Sequence, residues 1–263
     1  MTVRWPSEAI WEAVVPRLPS FTVEVLPEID STNTELMRRA REGQVDPILL
    51  VAERQTAGRG RLGRTWVSAA PCGHGEEPIA SLTFSFGIAL QPPDWSGLSL
   101  AVGLSLAQSL HPTLLLKWPN DLWWQDRKVG GILIETASVG ALRYAVIGVG
   151  LNIHQPSSPP IGEGWRTPPA SLNEVLPGVG APDVLQQVVP PLVKCLQRFE
   201  AQGFAPLREG FESRDLLRGR EVEGSDGVCG TAAGVDASGA LLVHTAGGLR
   251  KISSAEVSVR PRS

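Results

Sequence analysis

Twenty arginines and only four lysines, Lys117, Lys128, Lys194 and Lys251, carry the positive charge of this 263-residue chain. Arginine supplies the generic surface charge, so a lysine inside a glycine-rich apolar segment stands out. Lys128 is such a residue, two positions before Gly130-Gly131 in Lys128-Val-Gly-Gly-Ile-Leu-Ile-Glu135. An ammonium there can hold a carboxylate or a phosphate as a point charge, and glycine in a strand marks close approach by a ligand or another backbone. A second segment, Gly58-Arg-Gly-Arg-Leu-Gly-Arg64 followed by Thr65-Trp66, combines mobile glycines with guanidinium forks that match phosphate oxygens. It contains G-x-G-x-x-G, but Trp66-Val-Ser-Ala-Ala-Pro-Cys-Gly does not continue as the helix that a dinucleotide-binding turn opens. Asp30-Ser-Thr-Asn33 offers hydroxyls, an amide and backbone N–H groups at a helix start, where simple capping accounts for the run equally well. Asn120-Asp121 follows Pro119 and reads also as a plain turn. Asn152 is a polar residue near the end of an apolar strand, Gly148-Val-Gly-Leu-Asn-Ile153.

These residues need elements to place them. Residues 31–43 read as a helix, with Thr32 and Glu35 spaced as a capping box and Leu36 and Ala40 one turn apart. Residues 47–52 read as a buried strand, 58–78 as a long loop, 79–90 as a strand and 96–110 as a buried helix. Strands at 114–118 and 121–125 flank a Pro119-Asn120 turn; Asp126-Arg127 turns into a strand at 128–135, and another follows at 143–153. Residues 155–170 read as a loop and 182–202 as an amphipathic helix. From Arg218 onward, short Val/Leu runs are separated by Gly-Ser-Asp-Gly, Asp-Ala-Ser-Gly and Ala-Gly-Gly, the pattern of a small all-β barrel. Several strands in succession with few helices between them favour an α+β fold, divided into a main domain at 1–217 and a small one at 218–263.

Hydrophobic residues at 42% and charged residues at 19% exclude wholesale disorder, and a net charge of −3 argues against a basic nucleic-acid binder. No apolar run nears the roughly 18 residues of a membrane span. The N-terminal Met-Thr-Val-Arg-Trp-Pro-Ser-Glu lacks the apolar core of a signal peptide, so a cytoplasmic protein without membrane contact is expected. Cys72, Cys195 and Cys229 are widely spaced and odd in number, which favours unpaired thiols over a disulfide framework or a zinc site.

Taken in order, Asp30-Ser-Thr-Asn33, Gln55-Thr-Ala-Gly-Arg-Gly-Arg61, Gly63-Arg-Thr-Trp66, Lys117-Trp-Pro-Asn-Asp121, the Lys128 segment and Gly148-Val-Gly-Leu-Asn152 resemble biotin protein ligases. The tail, Gly234-Val-Asp-Ala-Ser-Gly-Ala-Leu-Leu-Val243 with Glu256-Val-Ser-Val-Arg260, is similar to that family's C-terminal domain. The resemblance covers nearly the whole chain. It implies a mixed-sheet catalytic domain of the biotin/lipoate ligase, class II synthetase-like, type, with a small C-terminal SH3-like β-barrel. It implies an enzyme, a biotin–[biotin carboxyl-carrier protein] ligase, with ATP and biotin as substrates and Mg²⁺. Biotin's carboxylate attacks the α-phosphate of ATP to give biotinyl-5′-AMP and pyrophosphate. A lysine on the biotin carboxyl carrier protein of acetyl-CoA carboxylase, or of a related carboxylase, then displaces AMP.

The same resemblance distributes roles. Catalysis falls to Lys128, Arg59, Arg61 and Asp121. Biotin falls to Ser31, Thr32, Asn33, Gln55, Arg59, Gly60, Arg61, Lys128, Gly130 and Gly131, the last two as bare backbone under the ring. ATP falls to Arg61, Trp66, Asn120, Lys128 and Asn152, with Trp66 on the adenine. Asp121 is the candidate for Mg²⁺ or for orienting the incoming lysine. Leu62 departs from the family, which often has an arginine there, and residues 72–78 lengthen the loop. About 20 residues precede the catalytic region, too few for a repressor's helix-turn-helix, so no DNA partner is expected. A homodimer stays open. The rivals are a lipoate-protein ligase, which needs an apolar tunnel, and a non-catalytic nucleotide- or carrier-binding module, which Lys128 and the loop arginines argue against.

Overall fold

The computed structural model describes residues 3–67, 79–155, 168–253 and 259–261. Two elements precede the first one expected from the sequence. Helix α1 (Ser7–Val14) buries Ile10 and Val14, and strand β1 (Thr22–Ile29) follows. Helix α2 (Thr32–Arg41) then crosses over to β2 (Ile48–Gln55), which lies parallel to β1. A single 3₁₀ turn at Arg61–Gly63 stands where a dinucleotide-binding helix would have begun. Next come β3 (Ser81–Ala89), α3 (Leu98–Leu110), β4 (Leu115–Lys117), β5 (Asp121–Trp124), β6 (Arg127–Val139) and β7 (Leu142–Asn152). Helices α4 (Leu172–Val175), α5 (Ala181–Gln202) and α6 (Arg208–Glu212) lead to β8 (Glu221–Gly224), β9 (Cys229–Val235), β10 (Leu241–Thr245), β11 (Gly248–Ile252) and β12 (Val259–Pro261).

The first seven strands form one mixed sheet in the order β1-β2-β3-β7-β6-β5-β4. The last five form an antiparallel sheet, β11-β10-β9-β8-β12. Side chains alternate across a strand, and here the alternation sorts two unlike faces. Leu82, Phe84 and Phe86 of β3 join Ala145, Ile147, Val149 and Leu151 of β7 in the main core. Helix α3 is buried on nearly every side, as its Leu/Ala/Val composition requires, and α5 covers it with Val184, Leu185, Val188, Leu192 and Leu196. Each such leucine contributes about 2 kcal/mol by leaving water. The opposite face carries α2 and a smaller cluster of Leu36, Ala40, Leu50, Tyr144 and Val146.

The C-terminal sheet is seated on the main core. Trp118 is fully buried and its Nε1 donates to the Gly239 carbonyl at 3.1 Å. Gly239 has φ +81°, and a Cβ there would lie 2.9 Å from Gly97 Cα, so both conformation and space demand glycine. The connecting chain is stitched to β4: Leu116 N donates to Arg214 O at 2.8 Å and Leu216 N donates to Leu116 O at 2.9 Å.

Several local expectations are corrected. The cap of α2 is Ser31, whose Oγ accepts from Thr34 N, and not Thr32, whose hydroxyl turns inward to Gln55. Glu35 consequently pairs with Arg38 and Arg39 instead of closing a capping box. The hairpin between β5 and β6 turns on Gln125 (φ +47°) and Asp126 (φ +57°), one residue earlier than expected, because both central residues of this tight turn must be left-handed. Residues 68–78 and 156–167, with Cys72, His74 and most of both long loops, lie outside the described residues, as do Glu256 and Val257.

Candidate active site

The N-terminus of α2 sits against β3, β6 and β7 and is almost completely withdrawn from water: Ser31, Thr32 and Asn33 are 2–3% exposed. Thr32 N donates to Gln55 Oε1 at 2.8 Å, and Thr32 Oγ1 lies 3.1 Å from the same atom. Ser85 Oγ, from β3, is 2.7 Å from Thr32 Oγ1 and 2.6 Å from Asn33 Oδ1. Three oxygen contacts thus share two hydroxyl hydrogens, which leaves the cluster rich in acceptors. Asn33 Nδ2 donates to Leu133 O and to Glu135 Oε2, both at 3.1 Å. Gly148 leaves room for this amide, since a Cβ there would overlap Asn33 Oδ1.

Lys128 reaches the same face through an irregularity. Asp121 pairs with Gly131 and Leu122 with Gly130, but Trp123 pairs with Lys128, so Val129 is an extra residue in β6. Such a bulge re-aims side chains. Val129 goes into the core while Lys128 joins Gly131 and Asp121, with Lys128 Nζ 2.7 Å from Asp121 Oδ1. Asn152, at the end of β7, donates to Ala170 O at 3.0 Å and to Lys128 O at 3.5 Å, supporting the lysine's backbone. Gly130 makes room in the other direction, because a Cβ on it would lie 2.5 Å from Leu151 Cδ2. The bare backbone on the site face is therefore Gly131 with Gly148 and Gly150.

The arginine segment closes on itself as a small hairpin, with Gly60 N donating to Arg64 O at 2.7 Å and Trp66 N to Gly58 O at 2.9 Å. Its arginines diverge. Arg59 forms a two-pronged pair with Glu135, Nη1 to Oε2 and Nη2 to Oε1, each at 3.1 Å. Arg61 Nη1 donates to Asn120 Oδ1 at 3.3 Å, and Asn120 Nδ2 donates to Ile132 O at 2.8 Å. Burial pulls the Arg61 guanidinium below its ordinary value, while Asp121 acts to raise it and Arg64 lowers it further. The Trp66 ring lies over Gly150, where a Cβ would come within 2.5 Å of it, and its Nε1 is buried without a partner among the described residues. A cleft of about 630 Å³ is lined by this hairpin and also by Trp95, Gly97, Ile132 and Gly239. Thr32, Gln55 and Lys128 are not among its lining residues, so it adjoins the buried cluster without containing it.

Among the described residues no three His, Cys, Asp or Glu side chains converge on a metal site, and Asp121 Oδ1 is committed to Lys128. This donor set does not fit a resident Mg²⁺. A single carboxylate with phosphate oxygens suits an ion that arrives with the nucleotide. Ser85, Glu135 and Gly150 join the candidate residues in this arrangement, and the sequence reading did not single them out. A period of two in Ser81-Leu-Thr-Phe-Ser-Phe, small polar against large apolar, was the available signal for Ser85.

Comparison with known proteins matches two stretches of the chain. The model of the biotin/lipoate A/B protein ligase family matches residues 25–152, and that of the biotin protein ligase C terminal domain matches residues 218–260. The bifunctional ligase/repressor BirA of Escherichia coli K12 is 34% identical over 259 residues, covering 94% of this chain and 77% of that protein. The biotin–[acetyl-CoA-carboxylase] ligase of Paracoccus denitrificans is 31% identical, covering 89% of this chain and 98% of that protein. The biotin protein ligase of Aquifex aeolicus in complex with biotin and ATP matches with a TM-score of 0.75 at 31% identity, covering 91% of this chain and 99% of that one. With identity above 30% across most of each of these relatives, the chain belongs to the biotin/lipoate A/B protein ligase family, among its biotin protein ligases.

Proposed function

We infer that this chain uses ATP to activate biotin as biotinyl-5′-AMP and transfers it to a lysine of a biotin carboxyl carrier protein. The observation that carries this reading is the layout along one face of β6. Lys128 and Asp121 stand at Gly131, while Asn33 is bound at Leu133 and Glu135. The two groups are two residues apart on one strand, about 7 Å. A compact ligand can therefore meet the Thr32–Gln55 cluster with one end and the lysine with the other. The acceptor-rich cluster suits the N–H donors of a cyclic urea, and the lysine suits a carboxylate.

In the first step a biotin carboxylate oxygen bonds to the α-phosphorus and the bond to the β-phosphate breaks, releasing pyrophosphate. The two reactants are both anions, and two unit charges 4 Å apart repel by about 4 kcal/mol at an effective dielectric of 20. Lys128 and Arg61 offset this charge from fixed positions, and Trp66 offers a flat face to the adenine. Arg59 contributes less net charge, because Glu135 neutralises it. In the second step the carrier's amine attacks the acyl carbon, loses a proton and expels AMP. Asp121 is placed to orient that amine once Lys128 turns to phosphate. Holding the reactants together supplies much of the acceleration.

The partners and compartment follow from the same reading. On its outer side, β6 pairs with β5 as far as Gly131 and bonds to Asn120 at Ile132; beyond that no strand among the described residues pairs it, and this edge supports a homodimer formed by strand pairing. Sedimentation with and without biotin and ATP tests this; a monomer in both removes it. The net charge of −3 supports the absence of a DNA partner. Free thiols at Cys195 and Cys229 suit the reducing cytoplasm. No helix among the described residues is long and apolar enough to cross a membrane.

Mass spectrometry of a carrier domain incubated with ATP, Mg²⁺ and either biotin or lipoate tests the activity itself. Modification by biotin alone is expected; modification by lipoate alone would transfer the chain to the rival ligase.

A further inference from the structure

We propose that Glu135 is a positioning residue that couples the biotin end of the site to the arginine hairpin, so that biotin binding and the seating of Arg59 are one event. The proposal rests on the biotin-site reading above.

Glu135 lies on β6 opposite Val146, with its side chain 23% exposed. Its carboxylate is a point where the two structures meet. Oε2 accepts from Asn33 Nδ2 and from Arg59 Nη1, and Oε1 faces Arg59 Nη2. Parallel N–H···O bonds of this kind fix direction as well as distance. The hairpin is otherwise closed by its own backbone, and Arg59–Glu135 and Arg61–Asn120 are polar tethers that join it to the sheet beside the Trp66–Gly150 contact. On the other side, Asn33 has its remaining polar contacts at Leu133 O and Ser85 Oγ. A continuous polar path thus runs from Gln55 through Thr32, Ser85, Asn33 and Glu135 to Arg59.

The two halves of the coupling differ in strength. Arg59 is half-exposed, so its ion pair is screened and weak by itself. Asn33 is 3% exposed, and an amide deprived of a partner there costs far more. Glu135→Gln keeps an oxygen for Asn33 and removes only the charge that holds Arg59. Glu135→Ala removes both.

The test measures biotin affinity by calorimetry without ATP, where any role of Arg59 toward phosphate is silent. It also measures KM and kcat of biotin-dependent pyrophosphate–ATP exchange. Glu135→Gln is expected to weaken biotin binding about fivefold and Glu135→Ala about thirtyfold, with kcat within about twofold for Glu135→Gln. Arg59→Gln combined with Glu135→Gln is expected to weaken binding no more than the stronger single change, because both remove one interaction. Unchanged affinity in Glu135→Gln, or strictly additive losses in the double variant, overturns the proposal. Should Glu135→Ala not fold, Glu135→Gln and the double variant carry the test alone. Thr32→Val separates the levels: if it weakens biotin binding while both Glu135 variants do not, the coupling is refuted and the site stands. If none of the three affects biotin, the site reading falls and the coupling with it.

Discussion

On the face of the seven-stranded sheet covered by α3 and α5, Leu82, Phe84, Phe86, Ile147, Val149 and Leu151 pack into one large core. Interleaved with them on β3 and β7, facing the other way, stand Thr83, Ser85, Gly148, Gly150 and Asn152. The same strands thus build both a core and a site. The core side is redundant, since each apolar residue has many interchangeable neighbours. The site side is not: its polar atoms have one or two partners each, and its glycines leave space that Asn33 and Trp66 fill. Stability is therefore expected to reside mainly on one face and ligand recognition on the other.

Adjacent residues of β3 test this division most directly. Phe84→Ala removes a fully buried ring and is expected to lower stability by about 3–5 kcal/mol in urea unfolding. Phe84→Leu keeps most of the volume, and its KM for biotin is expected to match that of the wild type. Ser85→Ala, one residue on, is expected to cost only about 1–2 kcal/mol of stability while weakening biotin about tenfold, since it leaves Asn33 Oδ1 without its donor. A Phe84→Leu variant that loses biotin, or a Ser85→Ala variant that binds normally, would erase the contrast.

Lys128 sharpens it, because only the extra residue Val129 turns the lysine toward the site. Lys128→Ala is expected to slow biotin-dependent pyrophosphate–ATP exchange by about 10²–10³-fold, the usual loss when one preorganised charge-stabilising group goes. Stability should change by less than about 1 kcal/mol, because a pair with Lys128 40% exposed contributes little. A normal exchange rate would remove Lys128 from the chemistry.

The division also explains what could be read beforehand. Alternation and helical spacing marked β3, β6, β7, α2, α3 and α5 within a few residues, and the ordered segments carried the family. Strand β1 was missed because Pro27 breaks the alternation of Val23, Val25 and Ile29 with Glu24 and Glu28, whose partners, Arg39 and Arg54, are remote in sequence. The bulge at Val129 leaves no local mark, and the turn at Gln125-Asp126 lacks the glycine that normally signals it. Glu135 was quoted only as the end of a motif. Its two partners lie 76 and 102 residues away, a distance that no spacing rule spans.

The smallest effect concerns a carboxylate that the division does not provide for. Asp121 and Glu135, on the site face, each have a cation. Asp215, stitched beside β4 between buried leucines, has Oδ2 buried with no partner among the described residues, while Oδ1 accepts from Leu217 N. Burial pushes its carboxyl up from 3.8 to about 6 against the Leu217 and Arg218 contacts that favour ionisation, with Glu212 adding to the rise. The folded protein therefore holds this proton more tightly than the unfolded chain. The associated stability is complete below pH 3.8 and is lost progressively as pH rises to about 6 and beyond. Residual solvent access reduces the full shift to a loss of about 1–2 kcal/mol. Asp215→Asn keeps the acceptor for Leu217 and cannot ionise. Relative to wild type it should gain about 1–2 kcal/mol in urea unfolding near pH 7.5 and much less near pH 4. A gain of equal size at both values would place the effect in packing and not in the charge.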